Sequence, residues 1–316
     1  MKVGVVLNPI AGGGGLARSR GVLEAALGRH FAQWEIRDTV KSGDGEALAL
    51  AFAADGCDVV IAAGGDGTTS EVASGLIRYR LVHGAASALG PALGLLPCGT
   101  GTDFARGQTM SRDIEAAIAR IAQAAPRSID AGKVTFIDDD GAQASRYFLN
   151  ISSVGLSGPT TRAVNKDKRK GKGSAKLLFL WRTVVEFSRF RFQQVRIALD
   201  DAAPIEARIA LAAVCNGRFF GGGMMIAPDA DLQDGKFDVV IVRAAGKLGL
   251  VWDLRLLYGG KHRGHHAITI QRASRVLIEP VGDVGPNGVQ AEVDGEPIGR
   301  CPARYELLPS ALHLRA

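Results

Sequence analysis

The sequence predicts a two-domain α/β protein, in which an open parallel-sheet domain precedes a second, mainly antiparallel β domain. At 316 residues the chain is too long for one small core, so two domains are expected. The first third alternates short β-rich runs with longer helix-like segments, which is typical of a parallel sheet with crossover helices. After Pro126 strand-like segments follow one another with few helices between them, which indicates antiparallel pairing.

The first domain is predicted to span residues 1–130. Its predicted strands are residues 2–7, 34–40, 58–62 and 92–96, and its predicted helices are residues 16–27, 44–54, 69–78 and 112–124. Asp44 suits the N-cap position of the second helix. Asn8 and Pro9 end the first apolar run before a signal-peptide core develops, so this run is interpreted as a strand.

The second domain is predicted to span residues 131–302. Its predicted strands are residues 128–134, 146–151, 194–199, 205–215, 237–243 and 267–279, and its main predicted helices are residues 177–190 and 247–258. The boundary is expected near residue 130. A C-terminal tail of about residues 303–316 is expected to be able to return to the first domain.

Composition limits the classes of function. The four cysteines lie far apart without paired spacing, which favours reduced cytosolic thiols over a zinc site or a disulfide framework. The net charge of +6 favours an anionic partner such as a nucleotide, a nucleic acid or an acidic membrane surface. Because few aromatic residues interleave with the basic ones, a nucleic-acid partner is not expected. No apolar run approaches the ~20 residues that span a bilayer, so the chain is not expected to cross one.

Three turns rich in glycine or threonine follow predicted strands of the first domain. They are residues 8–15, 63–71 and 96–106. Open α/β sheets bind ligands at the carboxyl ends of their strands, so the turns should converge on one crevice. Glycine permits close approach of the backbone to a phosphate, and a following helix directs N–H groups at an anion.

The second turn is the most specific of the three. It sets Asp66 among glycines, where successive N–H groups would form an anion-binding concavity and threonine hydroxyls would add donors. Because a carboxylate repels phosphate, Asp66 is interpreted as an Mg²⁺ ligand, with Asp103 of the third turn as a second carboxylate. The alternative for Asp66 is an ordinary helix N-cap. The turns lack the spacing of a Walker loop and of a dinucleotide fingerprint.

Together, residues 8–14, 64–68 and 99–106 resemble the catalytic domain shared by bacterial diacylglycerol kinase and related lipid kinases, sphingosine kinases and ceramide kinase. The turn at residues 64–68 alone would also fit NAD kinase and, more distantly, phosphofructokinase. Residues 216–223 and 227–239 resemble the C-terminal segment of the lipid kinases, which NAD kinase lacks. The resemblance therefore implies the bacterial diacylglycerol kinase-like lipid kinase family, with an NAD kinase/phosphofructokinase-like open-sheet first domain.

Two further sites are expected in the second domain. Asp231 and Asp234, with the backbone carbonyl of Lys236, offer oxygen ligands for a hard cation, and the resemblance implies a structural Mg²⁺ there. An ordinary acidic turn is the equal alternative. Near the end, Glu296 is expected to accept the proton of the attacking hydroxyl, with Asp294 as its close rival, since the family carries a D-G-E motif at this place.

The expected site in the first domain combines these motifs. The predicted ATP-binding residues are Asn8, Gly12, Gly13, Gly14, Thr39, Gly64, Gly65, Asp66, Gly67, Thr68, Thr69, Ser70, Glu71 and Thr100, with Thr39 taken from the family resemblance. One position departs from the family, which usually has Asn immediately before the Asp of the third turn. Here that residue is Thr102, which keeps a hydroxyl but loses the amide, a change that is expected to alter the positioning of Asp103.

The expected activity is ATP-dependent, Mg²⁺-dependent transfer of the γ-phosphate to a lipid hydroxyl, on diacylglycerol or a related lipid alcohol. The alternatives are an NAD kinase-like enzyme and a catalytically silent nucleotide- or lipid-binding regulator. A cytoplasmic location is expected. Peripheral contact with the inner face of the membrane, through the basic run at residues 166–176 and the apolar residues after it, is left open, as is a homodimer.

Overall fold

The computed structural model describes residues 1–83, 90–99, 101–168, 175–244 and 256–316. The chain forms two compact units: unit 1 contains Met1–Ala131 and Pro309–Ala316, and unit 2 contains Gly132–Leu308. The predicted helix at residues 247–258 lies almost entirely outside the described residues. Within the described ranges, no helix has the length and apolar character needed to cross a membrane.

Unit 1 is built on a parallel sheet. Its elements are β1 (Lys2–Leu7), α1 (Ala11–Arg18), α2 (Arg20–His30), β2 (Gln33–Asp38), α3 (Asp44–Ala54), β3 (Val59–Gly64), α4 (Asp66–His83), β4 (Ala92–Pro97), α5 (Asp103–Gly107) and α6 (Ile114–Gln123). The strand order is β2-β1-β3-β4, and the chain's last strand, β16 (Glu296–Arg315), adds Leu314 and Arg315 beside Leu93 and Gly94 of β4. All of these neighbouring strands run parallel, so the carboxyl ends of β1, β3 and β4 lie at the same edge of the sheet.

Helices cover both faces of this sheet, as its uninterrupted apolar strands require. On one face, Val3 and Val5 of β1 cluster with buried residues of α2 and α6. On the other face, Phe52 of α3 packs on Gly4, where a Cβ would lie 2.4 Å from the ring. Gly4 is therefore required by the close approach of α3 to the sheet.

Unit 2 is antiparallel. Its elements, which include β16, are β5 (Arg127–Ile137), β6 (Gln143–Phe148), β7 (Ile151–Gly155), α7 (Ser157–Lys168), α8 (Ala175–Arg189), β8 (Gln193–Leu199), β9 (Ile205–Cys215), β10 (Phe219–Phe220), β11 (Met224–Met225), β12 (Phe237–Arg243), β13 (Ile268–Ala273), β14 (Arg275–Pro280) and β15 (Gln290–Val293). The main path runs β13-β12-β9-β7-β15-β16, with β8 beside β9 and β14 and with β6 beside β5. β5 begins and β16 ends in unit 1.

The predicted fold class, an α/β N-terminal domain followed by an antiparallel β domain, is confirmed. Several predicted elements were wrong in detail. The helix predicted at residues 16–27 is divided at Ser19. The strand predicted at residues 267–279 is divided at Ser274, whose N–H and hydroxyl both donate to Asp200 Oδ1 at 2.9 and 2.8 Å. The helix α7 was not predicted.

Candidate functional site

The first turn follows β1 and contains glycines in a conformation that other residues rarely adopt. Gly12, Gly13 and Gly14 have φ angles of 60°, 69° and 79°, so the start of α1 is not regular helix. A Cβ at Gly12 would also lie 2.4 Å from the carbonyl oxygen of Cys98 in the third turn. The first turn thus packs directly on the backbone of the third.

Asn8 connects the first turn to the second. Its Nδ2 donates to Oγ1 of Thr68 at 3.2 Å, and its Oδ1 accepts the N–H of Ile10 at 3.2 Å. Its backbone N–H donates to the carbonyl of Ala63 at 2.9 Å. Asn8 therefore holds the two turns in a defined relation.

The second and third turns pack backbone to backbone. The carbonyl of Gly64 accepts the N–H of Gly99 at 3.1 Å, and the N–H of Asp66 donates to the carbonyl of Gly101 at 3.1 Å. A Cβ at Gly99 would lie 2.5 Å from Cα of Gly65. Side chains are excluded where the two turns touch, and the three predicted phosphate-binding turns of unit 1 form one continuous backbone surface.

Asp66 links the second turn to α5. Its Oδ2 accepts the N–H of Asp103 at 3.0 Å, and its Oδ1 accepts the N–H of Phe104 at 3.2 Å. Asp66 therefore caps the first turn of α5. This role is related to the helix N-cap expected as the alternative for Asp66, but the carboxylate reaches α5 from another turn. Asp103 is only 6% exposed, and its Oδ1 lies 3.8 Å from Nε of Arg106.

The carboxylates of Asp66 and Asp103 fit the requirements of Mg²⁺. They supply hard oxygen donors, and a carboxylate oxygen that accepts an N–H, as both oxygens of Asp66 do, can use a further lone pair for a cation. In the described part of the chain, no group of three or more His, Cys, Asp or Glu is placed to hold a metal. Mg²⁺ commonly binds one or two carboxylates together with water and substrate phosphates, so a pair is sufficient.

The predicted hydroxyl donors at the start of α4 differ in exposure. Thr68 and Thr69 are 6% and 8% exposed, whereas the Ser70 hydroxyl belongs to a half-buried residue. Gly67, which precedes them, is also half-buried. The N–H of Thr69 donates to the carbonyl of Gly65 at 3.0 Å, which begins α4. The Thr68 hydroxyl is already paired with Asn8, so its side chain organises the turn.

Thr39 lies in the loop that leads into α3, and Glu71 of α4 contacts that loop through its side chain. Glu71 Oε1 accepts the N–H of Gly43 at 2.8 Å, and its Oε2 accepts the N–H of Gly45 at 2.9 Å. The N–H of Thr39 donates to the carbonyl of Leu7 at 2.8 Å. Both residues therefore lie at the carboxyl edge of the sheet, and the Glu71 side chain anchors this loop.

The third turn contains the departure from the family pattern. Thr102 is 7% exposed, and its Oγ1 accepts a hydrogen bond from the Arg112 guanidinium at 3.1 Å. The predicted residue Thr100 lies outside the described residues. Thr102 thus binds a side chain from beyond α5, and Asp66 rather than Thr102 caps that helix.

Arginines at these turns were missed by the sequence reasoning. Arg18 donates to the carbonyl of Gly13 at 3.3 Å, Arg106 faces Asp103, and Arg112 binds Thr102. Cations beside anion-binding turns suit phosphate oxygens. The only available signal was their position within a few residues of the motifs.

In unit 2, Asp294 stabilises the turn between β15 and β16. Asp294 has φ of 47° and Gly295 has φ of 84°, so the turn is left-handed at both residues. The Asp294 carboxylate accepts the N–H groups of Leu149, Asn150 and Ile151 at 3.3, 3.2 and 3.0 Å. Asp294 therefore has a structural role whatever else it does.

Glu296 follows in the same turn and is exposed. Its Oε2 accepts a hydrogen bond from Nδ2 of Asn165 on α7 at 3.2 Å. The Asn165 amide thus helps to orient this exposed carboxylate, whereas the carboxylate of Asp294 accepts backbone N–H groups.

Glu292 lies beneath the turn and was assigned no role from the sequence. It is 4% exposed, its Oε1 accepts the Ser153 hydroxyl, and its Oε2 accepts the N–H of Gly295 at 2.9 Å. Burial raises the pKa of Glu292 to about 7. Alternation in β15 sets Glu292 opposite the core residues Ala291 and Val293, so the sequence carried no signal for its burial.

The acidic turn before β12 is internally hydrogen-bonded. Asp231 Oδ1 accepts the N–H of Gln233 at 3.1 Å, and Asp234 Oδ1 accepts the N–H of Lys236 at 3.0 Å. The second oxygen of Asp234 pairs with Arg272. Because a guanidinium already neutralises Asp234, this contact favours the acidic-turn alternative, and a structural Mg²⁺ here stays a prediction.

The basic run is only partly described. Lys166 on α7 is exposed, while residues 169–174 lie outside the described ranges. Trp181 on α8 is 64% exposed. Membrane contact at this run stays a prediction.

Two family models divide the chain between them. Residues 2–134 match the diacylglycerol kinase catalytic domain, and residues 150–316 match the YegS C-terminal NAD kinase beta sandwich-like domain. These matches correspond to a catalytic domain followed by a β domain.

Curated relatives extend over nearly the whole chain. A Pseudomonas aeruginosa protein named "Probable lipid kinase YegS-like" is 30% identical over 313 residues, covering 99% of this chain and 93% of that protein. A Mycobacterium tuberculosis protein named "Diacylglycerol kinase" is 26% identical over 319 residues, covering 99% and 94%. The crystal structure of a diacylglycerol kinase from Bacillus anthracis has a TM-score of 0.71 at 22% identity, covering 99% and 96% of the two chains, and shares the fold. The chain therefore belongs to the family of diacylglycerol kinase-like lipid kinases.

Proposed function

We propose that the protein is an ATP-dependent kinase that transfers the γ-phosphate of ATP to a hydroxyl of diacylglycerol or a related lipid alcohol. The observation that carries this proposal is the packing of three glycine-rich turns at one edge of the parallel sheet, with Asp66 bridging to Asp103. A phosphate-binding surface and a pair of carboxylates are the two parts that phosphoryl transfer needs. Family membership supports the lipid acceptor.

The nucleotide phosphates are proposed to bind over the turns at residues 8–15, 64–71 and 96–102. Glycines there leave the backbone open to close approach, and the start of α4 adds the positive end of a helix dipole. Arg18, exposed beside Gly13, adds a cation at the surface of the first turn.

Asp66 and Asp103 are the residues that would hold Mg²⁺. When bound, the ion neutralises the charge of the phosphates and orients them. The cap that Asp66 provides to α5 would fix the position of Asp103, because it binds the N–H of that same residue.

Glu296 is proposed as the acceptor of the hydroxyl proton. Its carboxylate is exposed and oriented by Asn165, so a substrate hydroxyl can reach it. Asp294 is the weaker candidate, because its carboxylate already accepts the N–H groups of Leu149, Asn150 and Ile151.

The direct test is incubation of the purified protein with Mg²⁺, ATP and a panel of acceptors, followed by mass spectrometry. The panel contains diacylglycerol, phosphatidylglycerol, undecaprenol, a long-chain base and NAD. We expect one phosphorylated lipid, formed only with ATP and lost with EDTA. Phosphorylated NAD would support the NAD kinase alternative, and no product from any acceptor would support a silent binder.

The assignment of the proton acceptor is tested with paired variants. Glu296→Gln should lower kcat on the order of 100-fold with little loss of stability, because general base catalysis typically contributes 10²–10⁴-fold. Glu306→Gln, an exposed carboxylate on the same strand, is the control and should leave kcat unchanged. Asp294→Asn should instead destabilise unit 2. An unchanged kcat in Glu296→Gln would remove Glu296 from the reaction.

A further inference from the structure

The turn that carries Glu296 is supported from below by a buried carboxylate. We infer that Glu292 is a positioning residue for the turn at residues 294–296, an inference that rests on the proposed role of Glu296. Glu292 Oε2 accepts the N–H of Gly295 at 2.9 Å, and Gly295 directly precedes Glu296. Because this N–H donates to a carboxylate held in the sheet, Glu292 sets the orientation of the peptide leading into Glu296.

The same carboxylate is joined to the helix that orients Glu296. Glu292 Oε1 pairs with Ser153 of β7, and Ser153 Oγ lies 2.8 Å from Ser157 Oγ, the first residue of α7. Two turns further along α7, Asn165 donates to Oε2 of Glu296 at 3.2 Å. Glu292 therefore acts on Glu296 through the turn backbone and through the helix that supplies its hydrogen-bond donor.

The buried surroundings of Glu292 do not favour a carboxyl group there for the sake of stability. Burying a carboxyl group in this sheet is unfavourable, and for stability alone an apolar side chain of similar volume would serve as well or better. Titratable groups that interact with it include Asp294 and Glu296 in the turn, Cys215 of β9 and Tyr305 of β16, and none of these four is a cation. A glutamate here is explained by its two hydrogen bonds.

Ser153 and Ser157 let these hydrogen bonds survive a change in protonation. An ionised Glu292 accepts from the Ser153 hydroxyl, which can in turn accept from Ser157. A protonated Glu292 donates to Ser153, which then donates to Ser157. In either state Oε2 can keep the N–H of Gly295, so a glutamine should substitute well.

The test compares Glu292→Ala and Glu292→Gln with the control Glu306→Gln, using the lipid and ATP of the wild-type reaction. We expect Glu292→Ala to lower kcat about tenfold or more while KM for ATP changes by less than about twofold, because the lost hydrogen bond holds the turn of Glu296 and not the glycine-rich turns proposed to bind ATP. Glu292→Gln should recover kcat to within about threefold of wild type, since its amide oxygen can accept from Gly295. A merely structural role would lower the folded fraction without separating kcat from KM.

Hydrogen–deuterium exchange of the same three variants provides a readout that does not need activity. Glu292→Ala should accelerate exchange of peptides containing Gly295, while Glu292→Gln and Glu306→Gln should not. Unchanged exchange together with wild-type kcat in Glu292→Ala would overturn the inference. If the wild type phosphorylates no lipid, the proposed function fails, and the exchange data still decide whether Glu292 positions the turn.

Discussion

Asp66 combines two roles that a single substitution can separate. Its carboxylate caps α5 through the N–H groups of Asp103 and Phe104, and it is the proposed metal ligand. Asp66→Asn keeps one of the two acceptor oxygens of the cap, so the free energy of unfolding should fall by about 1–2 kcal/mol. Loss of the negative charge should lower kcat on the order of 100-fold and raise the Mg²⁺ concentration needed for half-maximal rate. Steady-state rates across an Mg²⁺ series measure both.

Asp113→Asn is the matched control for Asp66→Asn. Asp113 caps α6 by accepting the N–H of Ala116 at 2.8 Å. The Asp113→Asn variant therefore also removes one negative charge from a carboxylate that caps a helix. It should leave the Mg²⁺ dependence unchanged. If Asp66→Asn behaves like Asp113→Asn, Asp66 is only a cap.

Glu292 should make stability depend on pH in the acid-to-neutral range. Burial raises the pKa of Glu292 from 4.5 to about 7, so the folded state holds this proton more tightly than the unfolded state. Its contribution to stability is fully present below pH 4.5 and is lost as pH rises through about 7. A shift of this size corresponds to roughly 3 kcal/mol.

Glutamine does not titrate, so the Glu292→Gln variant lacks this pH dependence. Its free energy of unfolding should therefore increase relative to that of wild type as pH rises. Urea unfolding of both proteins at about pH 5 and about pH 8 measures the difference, and other groups cancel in the comparison. Glu306→Gln should show no such pH-dependent difference. A constant difference between wild type and Glu292→Gln would mean that Glu292 is ionised at both pH values.

At the residue scale, motif chemistry predicts the acids but not their partners. Asp66, Asp103, Asp294 and Glu296 were singled out because carboxylates near phosphate turns suit metal and proton chemistry. That Asp294 binds three backbone N–H groups follows from the pairing of β7 with β15, which residue type does not reveal. Glu292 shows the same limit, because burial is decided by the tertiary fold.

At the element scale, the hydrophobic pattern predicted most strands and helices of unit 1, and the helix predicted at residues 44–54 coincides with α3. β1, β3 and β4 are apolar runs bounded by turns, and their predicted ranges overlap the observed ones. The helix predicted at residues 16–27 was wrong because Ser19 separates two helices. The break at Ser274 depends on Asp200, which is 74 residues away, so no local pattern could indicate it.

The first turn provides a matched pair of glycines for testing its packing. Gly12 and Gly13 have similar left-handed φ angles, yet a Cβ at Gly12 meets the carbonyl of Cys98 at 2.4 Å while one at Gly13 meets nothing within 4 Å. Gly13→Ala should cost only the backbone strain, about 1–2 kcal/mol. Gly12→Ala should cost more and displace the first turn from the third.

Urea unfolding and calorimetric titration with ATP measure these two effects. We expect Gly12→Ala to weaken ATP binding about tenfold or more, and Gly13→Ala to weaken it much less, because only Gly12 touches the third turn. Equal losses in the two variants would mean that backbone conformation, and not packing between the turns, matters for binding.

At the scale of the whole molecule, composition and pattern predict two domains, but not the residue at which the chain returns. A tail of about residues 303–316 was expected to be able to rejoin the first domain, and unit 1 includes Pro309–Ala316. β16 is a continuous strand from Glu296 to Arg315, so the change of unit occurs within one element. Sequence periodicity carries no mark of such a change.

The returning segment is expected to stabilise unit 1 substantially. Leu312 and Leu314 are 2% and 0% exposed, Leu314 pairs beside Leu93, and Ser310 donates its N–H to Asp130 at 2.8 Å. Each buried leucine contributes roughly 1.5–3 kcal/mol, so a chain ending at Leu308 should lose about 3–6 kcal/mol from unit 1. Limited proteolysis with mass spectrometry should then find early cleavage within residues 1–131, while residues 132–308 stay protected.

Point variants distinguish lost packing from the effect of truncation itself. Leu314→Ala should cost about 2–5 kcal/mol, as expected for a fully buried leucine. Leu81→Ala is the control, because Leu81 is 58% exposed and the change should stay within about 0.5 kcal/mol. If the truncated chain and Leu314→Ala both unfold like wild type, Pro309–Ala316 is not part of the cooperative unit that carries the glycine-rich turns.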